Sequence, residues 1–513
     1  MLPPVGLCCT AQAGRLHLNT FGLSALCSMA ERFFLELESP ETATWPHVVV
    51  VGGGFAGLRV CRALKGAKVR VTLIDKRNFN LFAPLLYQVA TGLVSRGDVA
   101  IPLRMLVGDQ ANLQILLGEV REIDPIERSI AFNGTHLRYD HLVLATGSGS
   151  TYLGHEEWRA LAPPMKILEH AEEIRRRLLM ALEEAERTVD AKQRQFLQTV
   201  VVVGSGPSGC ELAGSVAELM RRALANDFRR VDPDQTRVVL VVSGGRVLKE
   251  LPEVLSDAAA ADLQAKGIEL LPGRVVAMEP GEVVIRCADG DERSVQAANV
   301  FWTAGVRASK LGQRLADATG CSLDRGGRVI VEPDFSIPGY PNIRVVGDLC
   351  HYAHATPGGD PIPGMAGPAT QMGQWVGRDI RAQVEGRSHA RFRYVDFGNM
   401  AVLGRLSAVA NLRGFKLAGF PGWVLWALAH LAFMPDDENR ITLLVKWLWA
   451  IVSEQRSSLL ITGLPNEVQP GQGNAPFPMG WENEPSFADL LGPMAEAVEQ
   501  YQQREQQKAL SEC

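Results

Sequence analysis

Two segments of this 513-residue chain carry the same order of residue types. His47 to Leu58 reads HVVVVGGGFAGL, and Thr199 to Cys210 reads TVVVVGSGPSGC. Each places four valines before a glycine-rich turn. A stretch compatible with a helix follows, Leu58 to Leu64 in one and Cys210 to Leu224 in the other. That order suits one chemistry, the holding of a dinucleotide. The first glycine (Gly52, Gly204) permits a tight turn, the second (Gly54, Gly206) lets a pyrophosphate approach the backbone, and the third (Gly57, Gly209) allows close helix-strand packing. The phosphates then sit at a helix N-terminus. In the first segment the strand Val69 to Asp75 (VRVTLID) ends in an acid about 20 residues on, where a carboxylate accepts hydrogen bonds from an adenosine ribose. Asp75 is the expected ribose partner, with Lys76 beside it. The alternative, a turn begun by Asp75 with Lys76 and Arg77, stays open. In the second segment the next strand, Arg237 to Val242, ends in Val242 and Ser243 with no carboxylate.

The elements that must position these turns are strands feeding helices, and the composition agrees. With 46% hydrophobic and 21% charged residues the chain lies in the range of ordinary folded proteins, which rules out a mainly disordered one. At about 150 residues per domain its length argues for two to four domains. Lys+Arg 52 against Asp+Glu 57 gives a net charge of −5, so no overall basic field gathers nucleic acid. Nine cysteines without a CxxC pair suit neither a disulfide framework nor a zinc site, and no metal is expected. Two dinucleotide modules in one chain suggest a flavoprotein that takes a hydride from a nicotinamide onto a bound flavin.

The sequence resembles the type II NADH dehydrogenases, single-subunit FAD enzymes that pass electrons from NADH to membrane quinone without pumping protons. The resemblance runs from about His47 to Gly463. Besides the two turns it rests on NFNLFAPLLYQVATGLVS from Asn78, YDHLVLATGS from Tyr139, FWTAGVRAS from Phe301, VVGDLCHY from Val345 and PGMAGPATQMG from Pro363. It implies that Ala145, Thr146 and Gly147 lie near the flavin, that Gly347 and Asp348 place a carboxylate on the ribityl chain, and that Ala304 and Gly305 belong to the cofactor-binding set. It also implies roles at the reaction centre for Glu211 and Gln371. A carboxylate at Glu211 can relay protons if burial raises its pKa, the alternative being a helix-dipole contact in the first turn. The Gln371 amide is suited to a quinone carbonyl, the alternative being helix surface.

Several positions depart from the family pattern. Val242 stands where relatives usually carry a glutamate for the NADH ribose, so the repulsion that rejects a 2′-phosphate is missing and either NADH or NADPH is a candidate donor. Arg246 and Ser243 are placed to touch such a phosphate. Gly367 and Ala83 replace polar residues of relatives, which alters the expected quinone pocket. A flavin-disulfide reductase or a sulfide:quinone oxidoreductase needs a redox-active cysteine pair that the spacing does not offer. A soluble FAD-dependent NAD(P)H reductase of another acceptor, or a redox-sensing flavoprotein, stays open.

The expected architecture is α/β, with two Rossmann-like dinucleotide-binding domains, the nicotinamide domain inserted into the FAD domain, and a C-terminal amphipathic helical membrane-docking segment. The expected boundaries are 1–45 for an N-terminal extension, disordered and poor in basic residues; 46–165 and 301–390 for the FAD domain; 166–300 for the NAD(P)H domain; 391–463 for membrane anchoring and quinone access; and 464–513 for a polar tail. Leu417 to Met434 is 18 residues without formal charge, interrupted by Gly419, Pro421, Gly422 and His430. Together with Trp423, Trp426 and Trp447 to Trp449 it reads as two helices lying on a membrane. The Pro435-Asp436-Asp437-Glu438-Asn439-Arg440 connection is acidic, which leaves Lys446 and Arg456 as the basic helpers toward lipid. The expectation is a peripheral membrane protein on the cytoplasmic face, with a homodimer as a further candidate partner state.

Overall fold

A computed structural model describes residues 44–462 except 225, 226 and 357. The expectations for 1–45 and 464–513 therefore fall almost wholly outside the described residues. The first sheet starts with β1 (His47–Val51), whose side chains are buried on both faces, as an interior parallel strand requires. The chain turns through Gly52–Gly54 into α1 (Phe55–Ala63) and returns as β2 (Arg70–Asp75), then β3 (Leu113–Leu117) and β4 (His141–Leu144).

It then leaves for a second sheet. β5 (Thr199–Val203) enters α2 (Pro207–Glu218), and β6 (Arg237–Val242) lies parallel to β5. β7 (Ile268–Glu279), β8 (Glu282–Cys287) and β9 (Glu292–Gln296) come next, the last two pairing antiparallel, and β10 (Asn299–Trp302) closes the far edge. The spatial order is β9-β8-β7-β6-β5-β10. The junction expected at 300/301 falls inside β10, because Val203 pairs with Trp302 and the ladder holds the strand to that residue.

The chain then comes back to the first sheet. β11 (Ser336–Ile337) and β12 (Tyr340–Val345) complete it in the order β11-β12-β4-β1-β2-β3, with β12 parallel to β4. Both sheets are mixed. Helix α3 (Ala366–Val384) lies along α1, with Gly373 and Gly377 at the contact: a Cβ on Gly373 would overlap the Ala56 carbonyl.

The C-terminal region begins with three antiparallel strands, β13 (Asn399–Gly404), β14 (Ser407–Leu412) and β15 (Phe415–Gly419). The apolar run expected to be helical from Leu417 thus starts as a strand, held by pairs such as Ala410 with Leu417. Gly419 ends it at φ +70°, and Pro421 opens α4 (Phe420–Phe433) in its first turn, where a missing N–H costs nothing. Helix α5 (Asp437–Ser453) starts at Asp436, whose carboxylate accepts the Asn439 N–H at 3.0 Å. The acids Asp437 and Glu438 occupy its first turn, where the helix dipole favours them. The acidic connection is therefore a helix start. At 14 residues α4 is about 21 Å long, and among the described residues no helix is long and apolar enough to cross a membrane.

Two expectations about α4 and α5 are corrected. Trp426 and Trp447 are 1% and 4% exposed, packed on each other and on the sheet side. Lys446 is ion-paired with buried Asp98, and Arg456 is buried against Glu218, so neither is available to lipid headgroups. The three-stranded sheet is fixed to the second module through α2: Gly214 faces β13 so closely that a Cβ would overlap the Leu403 carbonyl oxygen. Gly214→Ala is expected to lower stability by about 1–3 kcal/mol, the cost of overpacking a tight contact. Thermal denaturation followed by circular dichroism checks this, and an unchanged midpoint would show that α2 does not pin β13.

Candidate functional site

The two glycine turns are built alike. Gly52 and Gly204 take φ +105° and +112°, where a side chain is strained. Their N–H groups donate to the carbonyls of Ile74 (2.8 Å) and Val241 (3.2 Å), closing each turn onto the neighbouring strand. A Cβ on Gly57 or Gly209 would overlap the carbonyl oxygen of Gly52 or Gly204, so each helix can seat on its strand only with glycine there. At Gly54 and Gly206 a Cβ would meet nothing, which leaves open space beside each helix N-terminus. The helices start at Phe55 and Pro207, earlier than expected, because the chain enters helix directly after that glycine.

Around the first turn the structure gathers residues distant in sequence. Asp75 accepts the N–H of Gly53 and of Arg77, and burial nevertheless raises its carboxyl above the usual range. The Arg77 contact shows that Asp75 begins the turn. Lys76 follows at the same strand end. Asn80 is buried, donates to Gly53 O at 2.8 Å, and leaves its Oδ1 without a partner. Ala145 lies against Gly52, and Gly147 at φ +66° accepts the Ser309 N–H. Thr146 is hydrogen-bonded to Ser309 at 2.8 Å. Asp348 follows Gly347 at φ +72°, accepts the Ser148 hydroxyl at 2.7 Å and has Lys166 at 3.6 Å. The space at Gly54, the orphaned Asn80 oxygen and the carboxylates at Asp75 and Asp348 fit an adenine dinucleotide carrying a flavin.

The second turn has the same companion strand. Ala304 follows β10 and lies against Gly204, as Ala145 lies against Gly52, while Thr303 donates to Val203 O at 2.8 Å. Gly305 takes φ +82° beside Thr151. Val242 ends β6 and is buried.

Glu211 sits one turn into α2 rather than in its first turn. Burial pushes its carboxyl up to about 8, partly offset by a hydrogen bond from the Val402 N–H. The dipole alternative acts within the first turn, and Glu211 lies past it. Its charge acts on Tyr87, whose hydroxyl is likewise raised by burial.

The far end of α2 forms one wall of a small cleft of about 80 Å³ between the second module and helices α4 and α5. Tyr87, Gln88, Ser215, Trp423, Trp426 and Trp447 line it, with Arg456 and Glu218 at one side. Trp447 Nε1 donates to Gln88 Oε1 at 2.8 Å. The Trp426 indole N–H is buried and has no partner among the described residues. His430 stacks on Trp426, and burial holds it neutral, with a pKa lowered to about 4. Arg456 donates to Thr91 O at 2.8 Å and Ser215 O at 3.2 Å, and stays cationic although burial lowers its pKa to about 10.

Glu211 and Gln371 do not line this cleft. Glu211 lies behind Tyr87 and Val402, while Gln371, on α3, exchanges two hydrogen bonds with the Val395 backbone at 2.9 and 3.0 Å. At Gly367 a Cβ would meet nothing, so the space beside it is open. Sequence reasoning missed Asn80, Tyr87, Gln88 and Glu218. The NFNLFAPLLYQ stretch held the first three, and their roles depend on partners far along the chain. Cys61, Cys210, Cys287, Cys321 and Cys350 are free thiols.

The sequence profile of the pyridine nucleotide-disulphide oxidoreductase family matches residues 46–373. A type II NADH:quinone oxidoreductase of Mycobacterium tuberculosis is 40% identical over 81% of this chain and 90% of its own length. A type II NADH:quinone oxidoreductase of Staphylococcus aureus is 27% identical over 72% and 91%. Among solved structures, NDH2 from Plasmodium falciparum in complex with NADH superposes with a TM-score of 0.73 at 16% identity, covering 81% of this chain and 99% of that one. The sulfide:quinone oxidoreductase of Aquifex aeolicus gives 0.60 at 19%, covering 82% and 94%. The duplicated turns, the α/β fold and the identity to the mycobacterial enzyme lead to one assignment: the chain belongs to the pyridine nucleotide-disulphide oxidoreductases and, within them, to the type II NADH:quinone oxidoreductases.

Proposed function

We propose that this chain is a non-proton-pumping oxidoreductase that moves a hydride from a nicotinamide nucleotide to FAD and two electrons onward to a membrane quinone. The observation that carries the reading is the course of α2. It starts at the second glycine turn, carries Glu211 one turn in, and ends at Ser215 and Glu218 in the wall of the aromatic cleft. Its 12 residues span about 18 Å, so one rigid element joins donor site and acceptor cleft.

Gly52, Gly54, Gly57, Asp75 and Lys76 hold the adenosine and pyrophosphate of FAD. Ala145, Thr146, Gly147, Gly347 and Asp348 lie toward its flavin end. Gly204, Gly206, Gly209, Val242, Ala304 and Gly305 hold the nicotinamide nucleotide. FAD, bound there, would supply the two-electron carrier between nucleotide and quinone. The protein's part is orientation and proton supply. Residues 46–165 and 306–390 serve the flavin, 166–305 the nicotinamide, the boundary lying beyond β10 and Gly305, and 391–463 the quinone route. The aromatic lining of the cleft suits an apolar quinone tail, while Gln371, outside the cleft, keeps one amide hydrogen beyond its bond to Val395.

Membrane contact falls to the outer faces of α4 and α5, where Val424, Leu428, Leu444, Val445, Leu448 and Val452 are exposed. With Lys446 and Arg456 engaged internally, docking rests on apolar area. Binding to phosphatidylcholine vesicles is therefore expected to survive high salt and to fall sharply in Leu448→Glu/Val452→Glu, measured by flotation. Binding abolished by salt would refute this surface.

Anaerobic mixing of the holoenzyme with NADH is expected to bleach the flavin absorbance, and a short-chain quinone to restore it rapidly. Bleaching without reoxidation would sink the quinone reading.

Glu211 is protonated below its pKa of about 8 and loses its proton above it. Quinone turnover is accordingly expected to hold near neutrality and fall as pH rises past about 8. Glu211→Gln should lower the rate and abolish that alkaline limb, and a profile unchanged by the substitution would remove Glu211 from proton delivery.

A further inference from the structure

The two nucleotide modules can be compared residue by residue, because one backbone hydrogen bond recurs in both. Gly52 N donates to Ile74 O and Gly204 N to Val241 O, while the ladders pair Val51 with Ile74 and Val203 with Val241. Gly52 thus corresponds to Gly204, Gly57 to Gly209, and Asp75 to Val242. This equivalence comes from hydrogen bonding and leaves no freedom for a slipped register. At the strand end where the first module places a carboxylate, the second places a buried isopropyl group.

The loop after Val242 is specific as well. Ser243, Gly244 and Gly245 are exposed, and Gly245 takes φ +79°. The segment then folds back over the glycine turn, the Leu248 N–H donating to Ser205 O at 2.8 Å. Arg246 lies in this returning loop. Its Nη2 is anchored on Lys249 O at 2.8 Å and Leu251 O at 3.2 Å, which fixes the guanidinium within the loop that folds back over the turn. Lys249 and Glu250 come after it, both exposed. Between Val242 and Lys249 the loop carries a hydroxyl, free backbone around two glycines and one guanidinium, and no acid.

A carboxylate at this strand end does two things to a nucleotide: it accepts the hydrogens of the 2′- and 3′-hydroxyls, and it repels a 2′-phosphate. Val242 does neither. A 2′-phosphate would meet a hydroxyl donor at Ser243 and the positive charge of Arg246, whose Nη2 hydrogens are spent on Lys249 O and Leu251 O.

We infer that the second nucleotide site accepts NADPH as readily as NADH, with Val242 removing the discrimination and Arg246 supplying the cation for the 2′-phosphate. The inference rests on the hydride-transfer reading and deepens it at the donor.

The test is kcat/KM of the holoenzyme with each nucleotide at one quinone concentration, together with anaerobic rates of flavin bleaching. The two values are expected to lie within about tenfold of each other, the scale of one charge-assisted hydrogen bond. A larger preference for NADH overturns the inference. Because bleaching needs no quinone, failure of quinone turnover would remove the acceptor reading while the bleaching rates still decide nucleotide choice. Val242→Glu is expected to lower the NADPH-to-NADH ratio by about tenfold or more. Since Val242 is buried and a glutamate there can impair folding, Arg246→Ala supplies a second reading: a several-fold greater loss with NADPH than with NADH. An equal loss with both nucleotides would confine Arg246 to holding its loop and overturn its assignment.

Discussion

Where each nucleotide turn closes, the carbonyl of the first glycine fills the space that a side chain on the third would need. That contact sets how near a helix can come to the strand before it, and so where the helix N-terminus points. Gly52 with Gly57 fixes α1 over β1, and Gly204 with Gly209 fixes α2 over β5. The rest of the site is referred to these two helices. α3 lies on α1 through Gly373 and Gly377, and β13 lies on α2 through Gly214, so the same device of backbone against backbone is reused away from the nucleotides. Each close approach trades a side chain for position, and position is what a reaction between two cofactors requires.

Much of this was legible because it is local. Four valines, a glycine turn and a helix lie within a dozen residues, and the hydrogen bonds that give the turns their shape join near neighbours or adjacent strands. The Val242 substitution was equally visible, since strand ends can be counted from the turn. The C-terminal region was less legible. Aromatic residues on two short helices indicate apolar faces without saying which face meets protein, and Trp426 and Trp447 turn inward while Leu448 and Trp449 turn out. Leu417 joined a strand because β14 offered it a partner, an option that hydropathy alone does not show.

Charged residues misled for the same reason. Lys446 and Arg456 read as cations free to meet lipid, yet Lys446 pairs with Asp98, 348 residues away, and Arg456 reaches Thr91 and Ser215 from the opposite end of the chain. An ion taken out of water needs partners, and only the fold can say which are near. Asp348 is the converse case. Its carboxylate was expected from a local motif, while Ser148 and Lys166, which hold it, come from elsewhere.

The burial of Arg456 bears on how donor and acceptor regions are kept together. Its guanidinium lies among Ser215, Glu218 and Thr91, close to Tyr87, and Glu218 also accepts the Arg405 N–H from the three-stranded sheet. A buried pair of this kind gains little over an apolar contact, because desolvation offsets much of the Coulomb attraction. Breaking it by removing one partner is costly, since the other charge is left buried and alone. The arrangement therefore works less as a store of stability than as a constraint. The segment after α5 has one place where Arg456 is satisfied, and that place is the end of α2. The cleft wall and α2 are then parts of one body, and the wall formed by Trp426 and Trp447 meets α2 in the position that Gly209 gave it.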